Sequence, residues 1–463
     1  MSKKKIFIVV FVIVITCVIG TCVFMYQPNV DNREVQLEVS IQSTGLSELQ
    51  YYYVLGNQEP FDYTEEQRGQ MSLESNTEEQ VITCNVPAES ISFRMDFGEE
   101  ESTICITNFE MRVGNERQPI PYELWSRIVL DNNVVHKTSS EGIIIEAQLG
   151  DPYIAWDISE WGILDYVTEK WNTVWMIIKC FLCACIVILA VIAIIKAEKL
   201  FTVPLEFYRN RKIVWNLAKN DFKTKYAGSY LGIFWAFVQP LVTTAVYWFV
   251  FQVGLKSGQV SDFPFVLWLM SGLVPWFFFQ EGIMGGTNAL LEYNYLVKKV
   301  VFDIDILPIV KVCSAFFVHL FFIMFIMALC ACYGYFPNVY TLQVVYLLIC
   351  NFVLVLGLSY LTSAMVGFAR DLTQIINIVL QIGMWITPIM WNVSILQSPI
   401  LKFLMKLNPM YYIVEGFRAA LLAKEWIIGN VFWTVYFWIV TLGIWMLGVL
   451  VFKKLKIHFA DVL

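Results

Sequence analysis

WNTVWMIIKCFLCACIVILAVIAII, residues 171–195, is followed by Lys196 and Lys199. It is long enough to cross a bilayer core, which takes about 20 apolar residues. The lysines at its end place that end in the cytoplasm. Working back toward the amino terminus, a second apolar run extends from Ile6 to Tyr26 behind Lys3, Lys4 and Lys5. A secretory signal has an apolar region of about 7–15 residues and a small-residue cleavage site, and neither describes this run. Thr16 and Thr21 precede Cys17 and Cys22 where a lipoprotein signal would carry Gly or Ala. Residues 1–26 therefore read as an uncleaved anchor with its amino end in the cytoplasm, and residues 171–200 as a second anchor. Residues 27–170 lie between the two and are expected outside the cytoplasmic membrane.

Composition agrees with this division. The 463 residues are 57% hydrophobic and 15% charged, against about 25% charge in a soluble domain. The formal net charge of -7 averages two opposed parts. Residues 27–171 hold 27 acids and 8 bases, a balance of -19, and the remainder holds 12 acids and 24 bases, a balance of +12. The acidic part would repel phosphates, which excludes nucleic acid as a partner and argues against a tightly held polyanion.

Period-two alternation marks strands in the acidic part, in Val35, Leu37, Val39 and Ile41 and again in Ile91, Phe93, Met95 and Phe97. Ile104 and Ile106, then Ile143 to Ile145, continue it, with turns at Gly98, Gly114-Asn115, Pro119 and Asp131-Asn132-Asn133. The expected fold is an extracytoplasmic β-sandwich. Cys84 and Cys105 each lie in a predicted strand, where they could form an extracytoplasmic disulfide or stay as two buried thiols. Tyr51, Tyr52, Tyr53, Trp125 and Trp156 could offer stacking faces to a glycan; the competing reading places such aromatics in the core or, like Trp161 and Trp171, beside the bilayer.

After the second anchor, residues 201–228 read as an amphipathic helix on the cytoplasmic interface. Phe207, Tyr208, Val214, Trp215, Ala218, Phe222 and Tyr226 share one arc of about 120°. Arg209, Lys212, Lys219 and Lys223 fill the adjoining arc, where they can meet anionic headgroups. From residue 229 onward hydropathy predicts six spans, at approximately 229–254, 264–282, 306–332, 341–368, 373–391 and 430–452. Lys298, Lys299 and Arg370 in short connections, and Lys453, Lys454 and Lys456 in the tail, follow the positive-inside bias. Residues 392–428, broken by Pro399 and Pro409, read as short re-entrant or interfacial helices. The fold class is a polytopic α-helical membrane protein with an inserted β-sandwich.

No Walker A pattern, no HExxH and no CxxC in a soluble segment is present. His136, His319 and His458 are far apart, so neither a catalytic site nor a metal cluster is expected. His319 falls mid-span, where an ionisable group marks a pathway or hydrogen-bonds a neighbouring helix.

Tyr230-Leu-Gly-Ile-Phe-Trp235 with Gln239-Pro-Leu241, then Gly272-Leu-Val-Pro-Trp-Phe-Phe278, resembles the permease subunit of polysaccharide-exporting ABC transporters. These are the ABC-2 type permeases for O-antigen, teichoic acid and related glycans. Residues 288–299, Arg370-Asp371, Thr387-Pro388-Ile389, Asn408-Pro409 with Glu415 and Arg418, and Phe459-Ala460-Asp461-Val462 extend the resemblance over 205–463. Asp303-Ile304-Asp305 replaces the Phe-Pro turn common in the family, and everything before residue 200 is an addition to it.

The resemblance implies a homodimer of this permease working with two copies of a separate ABC ATPase. That partner would use ATP and magnesium, with no cofactor in this chain. It implies a polyprenyl-pyrophosphate-linked polysaccharide as substrate. Glu292, Lys298, Lys299, Asp303 and Asp305 would couple to the ATPase. Trp235, Trp268, Trp276, Phe277, Phe278 and Trp385 would line a path along which sugars slide. Arg209, Lys212, Lys219 and Lys223 would attract the pyrophosphate. An ABC-2 exporter of another lipid or drug, or a membrane-anchored glycan sensor or scaffold, are the alternatives.

Overall fold

The computed structural model describes residues 3–25, 34–46, 48–64, 67–73, 79–98, 100–113, 116–139, 142–225, 230–254, 263–297, 303–396 and 398–459. They form two compact units, Gln27–Cys180 and Met1–Tyr26 with Phe181–Leu463.

The first unit is a β-sandwich. Its strands are β1 (Glu34–Thr44), β2 (Glu48–Leu55), β3 (Arg68–Ser72), β4 (Gln80–Pro87), β5 (Ser90–Asp96) and β6 (Ser102–Val113). They continue as β7 (Glu116–Pro119), β8 (Leu130–Asn132), β9 (Val134–Ser139), β10 (Gly142–Ala147) and β11 (Tyr153–Asp157). One sheet runs β4-β1-β6-β10-β9, with β7 on β6, and the other runs β3-β2-β5-β11-β8. The alternation read from the sequence is the pleat itself: Val35, Leu37, Val39 and Ile41 point inward and are fully buried. Asn133, at φ 49°, turns the chain from β8 into β9. The expected turn at Gly114-Asn115 lies outside the described residues.

Aromatic rings fill the space between the sheets. Phe109 sits 5.5 Å from Trp125, 5.3 Å from Trp156 and 5.3 Å from Trp161. The Trp156 indole donates to the Trp125 carbonyl at 2.8 Å, which satisfies its polar edge inside the core. Trp161 belongs to this core rather than to a bilayer surface. Cys84 and Cys105 are not bonded to each other. Cys84 lies opposite Leu37 and Cys105 opposite Gln42, on strands flanking opposite sides of β1, which separates them far beyond the ~6 Å Cα spacing of a disulfide.

Membrane-type helices make the second unit. They are α1 (Lys3–Met25), α2 (Ile163–Ile195), α3 (Thr202–Arg209), α4 (Arg211–Lys225), α5 (Trp235–Trp248) and α6 (Phe265–Glu292). After them come α7 (Leu307–Cys332), α8 (Gln343–Val366), α9 (Leu372–Ile386), α10 (Pro399–Lys406), α11 (Pro409–Arg418) and α12 (Val431–Leu455). Helix α2 starts eight residues ahead of the expected span and passes from the first unit into the second at Cys180.

Among the described residues six helical stretches are long and apolar enough to cross a membrane: Ser159–Ile195, Gly232–Gly254, Phe265–Glu292, Ile304–Cys332, Val339–Val366 and Val431–His458. The chain is therefore a multi-pass membrane protein. The expected span at 373–391 corresponds to α9, a shorter apolar helix of 15 residues that stops at Thr387, just before Pro388. The broken segment that follows contains the two short helices α10 and α11.

Helix α6 is the centre of this unit, packed against α5, α7, α8, α9 and α11. Close crossings explain how. A Cβ on Gly357 of α8 would stand 2.8 Å from the Trp445 Cα, and one on Gly448 of α12 would stand 2.4 Å from the Gly357 carbonyl. Small residues let the two backbones touch, the packing mode that lipid favours where no hydrophobic effect drives helices together.

Candidate functional site

The interface helix expected over 201–228 is two helices, broken at Asn210 between α3 and α4. Arg209, Lys212, Lys219 and Lys223 are exposed on them, as the sequence suggested, while Val214, Ala218 and Asp221 form the buried stripe of α4. A carboxylate in that stripe needs a partner. Asp221 accepts from Lys311 of α7 at 2.6 Å and from the Tyr293 hydroxyl at 2.9 Å. Lys311 also donates to Glu292 at the end of α6. Burial and the Asp221 charge push the Tyr293 phenol up, so it remains a donor. Trp215 and Phe222 flank this pair and meet Phe317 edge-on at 5.1 and 6.0 Å. The amphipathic helix is thus latched to the membrane helices by a buried ion pair and two aromatic contacts.

Two cavities adjoin the latch. The first, of about 380 Å³, is lined by Asp221, Thr224, Asn288, Glu292, Lys311 and Ser314 among others. The second, of about 430 Å³, lies among α5, α6, α7 and α9, and the two share Lys225, Glu281, Met284 and Ala315. Lys225 and Glu281 are ion-paired with each other. The second cavity combines ring faces, from Trp235, Phe277 and Phe278, with hydrogen-bonding groups from Gln239, Gln280 and His319. The His319 ring stacks on Phe278 at 4.8 Å and 13°. Such a lining can hold a polar, neutral molecule by stacking and hydrogen bonds inside an apolar unit.

Of the aromatics expected on a path, Trp235, Phe277 and Phe278 meet at this cavity. Trp268 and Trp276 do not; both are core residues. The Arg418 guanidinium lies 3.5 Å over the Trp268 ring, bonded to Glu415 at 2.6 Å and to the Ile389 carbonyl at 2.9 Å. Trp385 is exposed on α9, away from the cavity lining. The basic residues Arg209, Lys212, Lys219 and Lys223 line neither cavity, and Lys225 and Lys311 occupy those positions instead.

The coupling set separates as well. Glu292 belongs to the latch, and Lys298 and Lys299 lie outside the described residues. Asp303 pairs with Lys456 at 3.5 Å. Asp305 is only 1% exposed, paired with Lys453 and with Lys456 at 2.8 Å, so it holds the fold and presents no surface. Glu206 of α3 joins this knot through Lys453 at 3.4 Å. Burial, then the Asp305 hydrogen bond and charge, raise the Glu206 carboxyl to about 7.

In the β-unit, Tyr51, Trp125 and Trp156 are buried and have no face open to a sugar; Tyr52 and Tyr53 are half-buried. Tyr52 belongs to an aromatic cage that the sequence reading missed. The Arg94 guanidinium stands 3.7 Å over the Tyr153 ring, 5.4 Å over Tyr52 and 5.7 Å over Tyr63, and grips Asp96 at 2.5 and 2.6 Å. The register announces it, because Tyr52 pairs with Arg94 and Asp96 with Tyr153 across three strands.

Residues 213–422, from the latch helix through α11, match the family of ABC-2 type transporters. This stretch is similar to ABC-2 type transporters. The chain is 27% identical over 215 residues to the O-antigen export system permease protein RfbA of Myxococcus xanthus, covering 46% of this chain and 82% of that protein. It is 23% identical over 248 residues to the O-antigen export system permease protein RfbA of Klebsiella pneumoniae, covering 53% of this chain and 93% of that one. The matched stretch thus contains the latch, both cavities and the buried arginine, and the β-unit lies wholly outside it.

Proposed function

We propose that the chain is the membrane subunit of an ATP-driven exporter of a cell-surface polysaccharide carried on a polyprenyl-pyrophosphate lipid. The cavity lined by Trp235, Gln239, Phe277, Phe278 and His319 is the observation that carries this reading, because rings and neutral hydrogen-bonding groups suit sugars. The ABC-2 domain and the names of the relatives support it. Two copies of the chain act with two copies of an ABC ATPase, which supplies the hydrolysis. The exposed bases Arg209, Lys212, Lys219 and Lys223 attract the pyrophosphate, and Asp303 with residues 298–299 meets the ATPase. Residues 27–170 lie outside the membrane, both termini in the cytoplasm, and the β-unit receives or guides the emerging glycan.

The test is a strain lacking this chain. It is expected to lose surface polysaccharide and accumulate the lipid-linked polymer inside, and the chain is expected to co-purify with an ABC ATPase under gentle detergent. A strain with full surface polysaccharide and no accumulated carrier would defeat the proposal.

A further inference from the structure

Several buried polar groups of the membrane unit are already committed. Lys311 pairs with both Asp221 and Glu292, Asn351 donates to the Pro275 carbonyl at 3.0 Å, and Arg418 is held by Glu415 and Ile389. His319 is different. It is 3% exposed, and neither ring nitrogen makes a hydrogen bond of full geometry; the Val274 carbonyl is its neighbouring backbone acceptor. A buried imidazole whose hydrogen bonds are poorly formed costs about 1–3 kcal/mol, and a ligand hydroxyl reaching the ring would offset that cost. Phe278 fixes its plane, Phe316 and Phe417 close its other sides at 6.0 and 6.4 Å, and the ring borders the cavity.

The fixed charges around this cavity select its occupant. Lys225 and Glu281 are the charged ammonium and carboxylate on its lining, and they are paired with each other. The fixed charge is therefore balanced, and among the described lining residues no free ammonium or guanidinium is offered to a phosphate. Gln239 from α5, Gln280 from α6 and Gln381 from α9 each bring an amide that both donates and accepts, as a sugar hydroxyl does. Trp235 and Phe277 add ring faces. Resting on the export reading above, we propose that His319, with these amides, is the specificity-determining residue of a site for an uncharged sugar unit within the membrane unit. The pyrophosphate carrier finds no unpaired cation among the described lining residues to hold it there.

Two measurements test this, both on the full chain with its ATPase. In a strain lacking the chain, wild type is first shown to restore surface polysaccharide; if it does not, the export reading fails and this one falls with it. Where it does, His319→Leu is expected to lower surface polysaccharide about tenfold, and His319→Gln to retain about a third, at equal amounts of chain and ATPase in the membrane. Export at the wild-type level by His319→Leu overturns the proposal and leaves the export reading standing. If His319→Leu does not accumulate, Gln239→Leu with Gln381→Leu tests the same cavity from two other helices. It is expected to lose a similar factor, and wild-type export by that pair also overturns the site.

The second measurement uses the purified complex in nanodiscs, with maltohexaose as a neutral probe and inorganic pyrophosphate as a charged one. The maltohexaose concentration giving half its effect on ATP hydrolysis should rise about fivefold in His319→Gln, with that of pyrophosphate unchanged. A merely structural histidine would not separate the two probes. Maltohexaose without effect on the wild-type complex, or a His319→Gln shift confined to pyrophosphate, overturns the assignment.

Discussion

In the β-unit Phe93, Phe109 and Trp156 are sealed inside while Glu146, Asp151 and Asp157 face outward. In the membrane unit Ser271, Asn351, Ser359 and Thr441 are sealed inside while Ile188, Met324 and Ile378 face outward. The same twenty side chains are sorted in opposite directions because the two surfaces meet different solvents. Water rewards a wet carboxylate and a hidden ring. Lipid makes an outward Ile indifferent and leaves polar contacts and close packing to hold helices together. The contrast recurs within the membrane unit. Helix α6 is the least apolar of the six spans and 78% of its most apolar 18 residues are buried, whereas α2 is the most apolar and only 17% of its own are buried. Hydropathy alone does not set exposure, since Gly232–Gly254 is nearly as modest as α6 and has the smallest buried share of the six.

The largest effect should come from breaking the latch. Lys311→Met leaves Asp221 buried with one neutral donor, and removing one member of a buried pair costs about 3–5 kcal/mol. The expected outcome is a chain in nanodiscs whose thermal midpoint drops steeply, with Asp221→Asn added to Lys311→Met recovering a large part of the loss. A double variant no better than the single would mean that the pair is not the unit of stability. The β-unit offers the control. Trp156→Ala there should be comparably damaging, at about 3–5 kcal/mol through cavity formation, and no second substitution of a polar group should rescue it.

A smaller effect discriminates the two solvents directly. Ile188 of α2 and Val81 of β4 are both 58% exposed. Ile188→Asp should cost about 3 kcal/mol at the centre of a span, read as reduced membrane insertion in a protease-protection assay. Val81→Asp should change the melting of the chain by less than about 0.5 kcal/mol. Equal costs at the two positions would mean that the outward face of α2 meets protein or water instead of lipid.

These contrasts also explain what the sequence made legible. The strands were readable because water on one side and core on the other imposes a period of two on residues such as Val35, Leu37 and Val39. The spans were readable by length and apolarity, and their boundaries shifted most where Pro388 cuts α9 short and where Ile163 to Val167 extend α2 into the sandwich core. What hydropathy could not give is which side of an apolar helix faces protein, since both sides are apolar. Trp268 and Trp276 were therefore indistinguishable in sequence from Trp235, yet only Trp235 lines the cavity. The latch did leave a trace. Val214, Ala218 and Asp221 share i, i+4, i+7 spacing, and a carboxylate within an apolar stripe signals a buried partner. Glycan-facing aromatics could not be told from core ones by type alone, because Tyr51 and Tyr52 are neighbours whose side chains alternate across the sheet.

The smallest effect expected is a dependence on pH at the knot that joins α3 to the end of α12. Glu206 carries a carboxyl raised to about 7, first by burial and then by Asp305, with the Lys453 ammonium opposing the rise. A carboxyl raised on folding binds its proton more tightly in the folded chain than in the unfolded one. Stability is therefore greatest on the acid side of its ordinary value of 4.5 and declines as pH climbs through about 7. Glu206 is one-quarter exposed, so solvent screening reduces the effect, and a fall of about 1–2 °C in the thermal midpoint between pH 5.5 and 8.5 is expected. Glu206→Gln fixes the neutral form and should abolish that decline. A variant that keeps the full decline would assign it to another group, with Asp303, Asp305, Lys453 and Lys456 as the charged neighbours that face Glu206 in the knot.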